Sequence, residues 1–265
     1  MRMLKLSPTR VAGLAAAMLS SLLVAEASPG AAQADEKSAA LARKTIEAMG
    51  GEEAWDATRF VRFTFAGART HHWDKHRGRH RLEGKTREGE AYLVLLDLNS
   101  KEGKAWMEGE ELTGDEAAEW LERAYGVWIN DTYWLAMPFK LFDPGVRLRY
   151  EGTEEIEGTA YEKVKMTFDD VGLTPKDTYW VYFNPKTGLV DRWAYHLQDW
   201  PAARRATAWD WSGWQAFGEI KLAPGRTMVG AEDRELPLDG IAVFESLPDS
   251  VFESPQPVGG APASP

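Results

Sequence analysis

Apolar and polar residues change period along this chain, and the changes divide it into segments. Residues 35–58 carry Ala39, Leu41, Ala42, Ile46 and Met49 at a loose 3.6-residue spacing, which predicts an N-terminal helix stopped at Gly50-Gly51. From Phe60 the period drops to two. Val61, Phe63 and Phe65 alternate with Arg62 and Thr64, so a strand with one apolar face is expected there. Further strands are expected at His71–Asp74, Arg79–Glu83, Tyr92–Leu98 and Lys104–Glu108, each separated from the next by a short polar turn.

One helical pattern interrupts the strands. Thr113-Gly114-Asp115-Glu116 reads as a capping box, and Ala117, Trp120, Leu121, Ala124, Tyr125 and Trp128 follow at helical spacing. Asn130-Asp131 is expected to end that helix. Thr132 to Phe142, with Pro138 inside, is expected to form a short or broken helix. Strands resume at Arg147–Ile156, Thr159–Phe168, Asp177–Phe183, Leu189–Leu197, Trp209–Leu222 and Leu236–Phe244. Asn184-Pro185-Lys186-Thr187-Gly188 is the best turn signal, since Pro presets φ and Gly accepts φ > 0. The fold class expected is therefore mainly β with α: a single curved antiparallel sheet of about ten or eleven strands, a half-barrel covered by helices.

The two ends of the chain read differently. Arg2, Lys5 and Arg10 precede an uncharged apolar run from Val11 to Val24, then Pro29-Gly30 and Ala32-Gln33-Ala34. That order predicts a cleavable signal peptide over 1–34 and a periplasmic protein, with secretion as the alternative destination and no transmembrane span after cleavage. Residues 35–245 are expected to form the folded domain, and the Pro/Gly/Ala-rich 246–265 a disordered tail. The chain has no Cys, so stability must come from packing. Its net charge of −10 argues against nucleic acid as a partner. The 12 Trp all follow the leader, more than a core of this size requires, which suits a cavity lined with aromatic rings.

Candidate chemistry is sparse. Four of the five His, at 71, 72, 76 and 80, flank Arg77-Gly78. A two-residue turn there would pair His76 with Arg79, Lys75 with His80, Asp74 with Arg81 and Trp73 with Leu82. His71 and His80 would then share one face and His72 and His76 the other, so no three converge and no metal is expected. Asp169, Asp170 and Asp177 match no calcium loop, and Ser212-Gly213 lacks the preceding Gly of a nucleophile elbow. Trp209, Trp211 and Trp214 form an aromatic cluster suited to core packing or to stacking on a sugar. No catalytic residue and no cofactor are expected.

Four phrases carry a family resemblance: Thr70-His71-His72-Trp73-Asp74, Asn130-Asp131-Thr132-Tyr133-Trp134, Met137-Pro138-Phe139-Lys140-Leu141 and Tyr182-Phe183-Asn184-Pro185-Lys186-Thr187-Gly188. With a leader, a short helix, hairpins, an inserted amphipathic helix and more hairpins, the chain resembles the LolA-like fold of periplasmic lipoprotein carriers. The resemblance implies a curved sheet whose concave face is plugged by helices. No residue here matches a carrier's ligand-gating arginine, so lipoprotein traffic does not transfer. The function expected is a non-enzymatic protein holding a hydrophobic ligand, such as a lipid, an acyl chain or a lipidated partner. The alternatives are an envelope protein–protein interaction module and a hydrolase without a recognisable motif. The expected cavity lining is Phe63, Phe65, Trp73, Leu82, Trp120, Trp128, Leu148, Tyr150, Val164, Met166, Trp193 and Tyr195.

Overall fold

The computed structural model describes residues 34–169 and 171–258. The expected leader therefore lies outside the described residues, apart from Ala34. Asp35 caps the first helix: its carboxylate accepts from the Ser38 N–H at 2.9 Å. The expected single helix over 35–58 is two, α1 (Glu36–Ala48) and α2 (Gly51–Ala57). The break has a steric cause. Gly50 sits at φ +116°, and a Cβ there would lie 2.3 Å from the Glu219 carbonyl oxygen.

Strands β1 (Phe60–Phe65), β2 (Arg69–Asp74), β3 (Arg79–Lys85), β4 (Ala91–Asp97), β5 (Gly103–Met107) and β6 (Glu110–Glu111) follow. Then come α3 (Gly114–Ala136), a 3-10 turn at Met137–Lys140, β7 (Val146–Ile156), β8 (Thr159–Phe168), β9 (Thr178–Phe183) and β10 (Val190–His196). The chain continues through β11 (Thr207–Ser212), β12 (Gln215–Phe217), β13 (Ile220–Leu222), β14 (Gly225–Met228), β15 (Ala231–Glu235), β16 (Leu238–Phe244) and α4 (Ser250–Glu253). Among the described residues sixteen strands stand where about ten or eleven were expected. The apolar run Trp209–Leu222 is broken at Gly213, φ +74°, into β11 and the β12–β13 hairpin, and β14 and β15 lie in a polar stretch without an alternating signal.

Among the described residues the named strands pair antiparallel throughout, in two seven-stranded sheets ordered β16-β1-β2-β3-β4-β5-β6 and β15-β14-β11-β10-β9-β8-β7, beside the β12–β13 hairpin, and Ala34 adds one parallel bridge to Leu148. The two sheets meet along one stretch of chain. Leu236 N–H and Leu238 N–H donate to Arg226 and Pro224 carbonyls, while the Pro237 carbonyl accepts from Ala66 N–H on the other side. Residues 236–238 are thus bonded on both flanks and join the sheets into one layer, open between the edges β6 and β7. The mainly β, antiparallel architecture with covering helices is the one expected. The β2–β3 register differs by two residues from expectation. Asp74 pairs with Arg79, Trp73 with His80 and His71 with Leu82. A slip of two leaves every strand side chain on its own face, so the facing of His71, His72 and His80 is unchanged, whereas His76 falls in the turn and pairs with no strand residue.

The main core fills the face toward which Val61, Phe63, Val164, Met166, Val181 and Trp193 point, and α1, the C-terminal half of α3 and the 3-10 turn cover it. A second, smaller core lies on the other face, where Phe60, Ala242 and Phe244 meet Leu247, Val251 and Phe252. Residues 246–258, expected within a disordered tail, are therefore packed as far as they are described. Arg81, fully buried on that face, gives the reason. Its guanidinium donates to the carbonyls of Val251 at 3.2 Å, Ser254 at 2.7 Å and Gln256 at 2.9 Å, so the segment satisfies a buried charge as well as apolar area.

Candidate functional site

α3 sets the site. Its expected capping box does not form, because Thr113 is the N-cap without a side-chain bond. Nor does the helix stop at Asn130-Asp131. Asp131 turns into the core, where Arg69 reaches it with two N–H donors at 2.6 and 2.8 Å, and Thr132 Oγ1 donates to the Trp128 carbonyl at 2.8 Å. The ion pair thus carries a helix-ending sequence through another turn of helix.

His71 extends this network. Its Nε2 lies 2.9 Å from Asp131 Oδ2, and its Nδ1 lies 3.0 Å from His80 Nε2. An ionised Asp131 only accepts, so His71 carries its proton on Nε2 and accepts from His80 at Nδ1. His80 Nδ1 is left as a buried acceptor without a partner. Burial drives His71 down, and the opposing pull of Asp131 does not restore it. Burial drives His80 well below the usual imidazole range, with the charge of His71 adding to it. Burial would raise Asp131, but the bonds from Arg69 and His71 hold it below the usual carboxylate range. Asp131, His71 and His80 form a neutral-imidazole relay closed inside the core, and none of the three lines the cavity described next.

That cavity lies between α3 and the rim of β7–β10 and has a volume of about 470 Å³. From α3 it is lined by Trp128, Ile129, Tyr133 and Trp134, and from the sheet by Phe168, Tyr179, Trp193 and Tyr195. The rings hold one another edge-on. Trp134 meets Trp193 at 4.8 Å and 76°, and Phe168 meets Tyr179 at 5.7 Å and 89°. Val171 and Leu173 stand at its mouth, as do Lys140 and Asp143, whose charged ends are 3.3 Å apart. Val171 packs on Gly145, at φ +87°, where a Cβ would come 2.5 Å from its side chain. Trp128 and Trp193 each keep a buried indole N–H without a partner. Burial raises the Tyr133 and Tyr179 hydroxyls above the usual phenol range, so both stay protonated donors.

Of the twelve residues expected to line a cavity, Trp128, Trp193 and Tyr195 do so. Phe63, Phe65, Trp73, Leu82, Leu148, Val164 and Met166 are instead packed in the core. Trp120 lies against the Tyr92 ring at 4.7 Å, and Tyr150 points to the edge, where its hydroxyl donates to Glu162. The cavity occupies one rim of the concave face rather than its length, because α3 and the 3-10 turn fill the rest. Tyr133, Trp134, Phe168 and Tyr179 were missed. The first two follow an Asn-Asp read as a stop, and the last two lie at strand ends, where alternation gives little signal. Trp209 and Trp211 of the aromatic cluster are buried, Trp209 against Trp134 at 5.4 Å.

Trp134 is held from behind by a second unusual group. Arg226, fully buried, lies 3.5 Å over the Trp211 ring and donates to the carbonyls of Ala223 at 2.6 Å, Gly225 at 2.8 Å and Trp134. Among the described residues it has no carboxylate partner, and burial lowers its pKa well below the usual guanidinium range. Among the described residues, no three His, Asp or Glu side chains are grouped to hold a metal, and no helix is long and apolar enough to cross a membrane.

Comparisons place the chain beside other proteins. Residues 98–211 match a family model described as a family of unknown function, DUF6503. No curated protein matches the chain. Among solved structures, a DUF1329 family protein from Desulfovibrio piger matches at 12% identity and TM-score 0.45, over 82% of this chain and 97% of that one. A LolA superfamily protein from Nitrosomonas europaea matches at 11% identity and TM-score 0.37, over 81% of this chain and 96% of that one.

Proposed function

We propose that this protein is a non-enzymatic periplasmic binding protein that holds a hydrophobic ligand, such as a lipid or the acyl chain of a lipidated partner, under α3. The observation that carries this reading is the cavity of about 470 Å³, walled by aromatic rings from α3 and β8–β10 and open at one rim. That size is usual for a small-molecule site, and an aromatic lining with few polar groups favours an apolar body. Catalysis is disfavoured because the His–Asp relay found among the described residues is sealed in the core, away from the cavity.

Export fits the start of the fold. Asp35 caps α1 with its own side chain, and its N–H donates to Leu148, so a cut after Ala34 leaves both contacts intact. N-terminal sequencing of processed protein should begin at Asp35, and an intact Met1 on membrane-bound protein would contradict it.

The ligand is tested with N-phenyl-1-naphthylamine and by mass spectrometry of lipids extracted from the native protein. Saturable binding at roughly micromolar affinity is expected. Ile129→Arg, at a half-buried lining position, should weaken it at least about tenfold while far-UV circular dichroism is unchanged. If no acyl or apolar probe binds and no lipid is extracted, the envelope protein-interaction reading takes its place.

A further inference from the structure

The described residues expose three large hydrophobic side chains: Leu173 at 58%, Val229 at 39% and Val171 at 37%. All three lie at the same end of the sheet. β8 ends, β9 begins, β10 ends, β11 begins and β14 ends there, as the pairs Met166–Tyr179, His196–Thr178, Tyr195–Thr207 and Trp209–Met228 show. The connections 171–176, 197–206 and 229–230 therefore form one crest, and the aromatic cavity reaches it, lined there by Val171, Leu173 and Leu197. The opposite end, with the turns after β7, β9 and β11, exposes no large hydrophobic among the described residues.

The crest also differs in charge from the acidic chain around it. Lys176, Arg204 and Arg205 are exposed, and among the described residues none of them is in an ion pair. Arg204 lies 3.5 Å over the Trp200 ring, an amphipathic pair of the kind that sits at a lipid headgroup boundary. The nearby carboxylates of Asp169 and Asp177 are engaged, by Arg147 and by the Gln198 N–H, and by sequence Asp170 precedes the crest, Asp199 lies in the 197–206 connection and Glu232 and Asp233 follow the last turn.

From this juxtaposition of exposed aliphatic side chains, an arginine-capped Trp and a cavity mouth, we infer that the crest docks on a bilayer surface bearing anionic headgroups. Val171, Leu173 and Val229 enter the boundary, and Lys176, Arg204 and Arg205 meet the headgroups. An apolar ligand then passes between bilayer and cavity without crossing water.

The chain has no Cys, so single thiol labels are unambiguous. Leu173→Cys, Val229→Cys and, at the opposite end, Glu155→Cys are labelled with an environment-sensitive dye. Each is mixed with phosphatidylglycerol-containing vesicles or with pure phosphatidylcholine vesicles. Dye at 173 and 229, but not at 155, should shift to the blue and be quenched by nitroxide lipids on the anionic vesicles alone. The doubly reversed Arg204→Glu/Arg205→Glu protein should partition about thirtyfold or more weakly, and about 0.5 M salt should mimic it. All variants carry the same N-terminal segment, so differences among them read the crest. The inference is overturned if flotation is unaffected by these variants, if the dye at 155 responds equally, or if neutral vesicles bind as well. A dye shift at 173 in solution with a doubled mass would also overturn it, by showing that a second copy covers the crest. Naphthylamine binding is measured separately, so a failure here is distinct from a failure of the cavity.

Discussion

Asp74 is a fully buried carboxylate held by Arg59 through contacts at 3.0 and 3.1 Å and by Arg79 at 2.8 Å, with the Arg77 N–H as a further donor. Burial alone would raise its pKa, but these donors overturn that and hold it at about 2. A folded pKa below the unfolded value of about 3.9 means the contribution is complete above pH ~4 and is lost as pH falls toward 2. Asp74→Asn keeps the shape and removes the charge, so it should cost about 2–3 kcal/mol in urea denaturation at pH 7 and flatten the acid limb below pH 4. A variant as stable as wild type would mean the two arginines are held by water instead. The partner expected from sequence was Arg81, two residues from the observed Arg79. The face of Asp74 was legible because alternation fixes it, whereas the register depends on turn length, and here the turn holds four residues rather than two.

At the scale of an element, α3 has two unlike halves. Residues 114–130 are mostly half-exposed, whereas Asp131, Thr132, Trp134, Leu135 and Ala136 are buried. The apolar face around Trp120 to Trp128 was legible from its period and does cover β4 and β5, but the anchoring half was not. Its signal is an Asp inside a helix, five residues before its end, which a propensity argument reads as an end, and its partners Arg69 and His71 lie some 60 residues away in sequence. Trp128→Ala should therefore cost about 1–2 kcal/mol, less than the 3–5 of a fully buried aromatic, because the ring already borders a cavity. Asp131→Ala leaves Arg69 and His71 facing a hole and should cost about 3–5 kcal/mol. Thermal unfolding of the two proteins side by side checks the ranking. The reverse order would place the anchor of α3 in its N-terminal half.

For the whole molecule, the continuity of the layer rests on three hydrogen bonds at 236–238, one of them to Ala66 at the far end of the sequence, so an alternating pattern can suggest one curved sheet without locating its join. Its stability to acid follows from a different feature of the same layer, three buried imidazoles on the adjoining strands β2 and β3. His72 is pushed down to about 4 by burial and by Arg81 and Arg62; His71 and His80 are lowered by burial, the first despite Asp131. Each folded value lies below the unfolded one near 6.5, so the unfolded chain takes up protons first. The stability due to these groups is complete above pH ~6.5 and is lost as pH falls toward the folded values, ahead of the carboxylates. Each contributes up to about 1.4 kcal/mol per pH unit while the pH lies between its unfolded and folded values. Urea titrations at pH 7.5, 6.5, 5.5 and 4.5 should show a plateau and then a steep fall. His72→Gln removes one titrating group under the 246–258 segment, and its slope below pH ~6.5 should be shallower by up to about 1.4 kcal/mol per unit. A stability that stays level between pH 7 and 5 would mean that water reaches these rings and that the core around Asp131 is open.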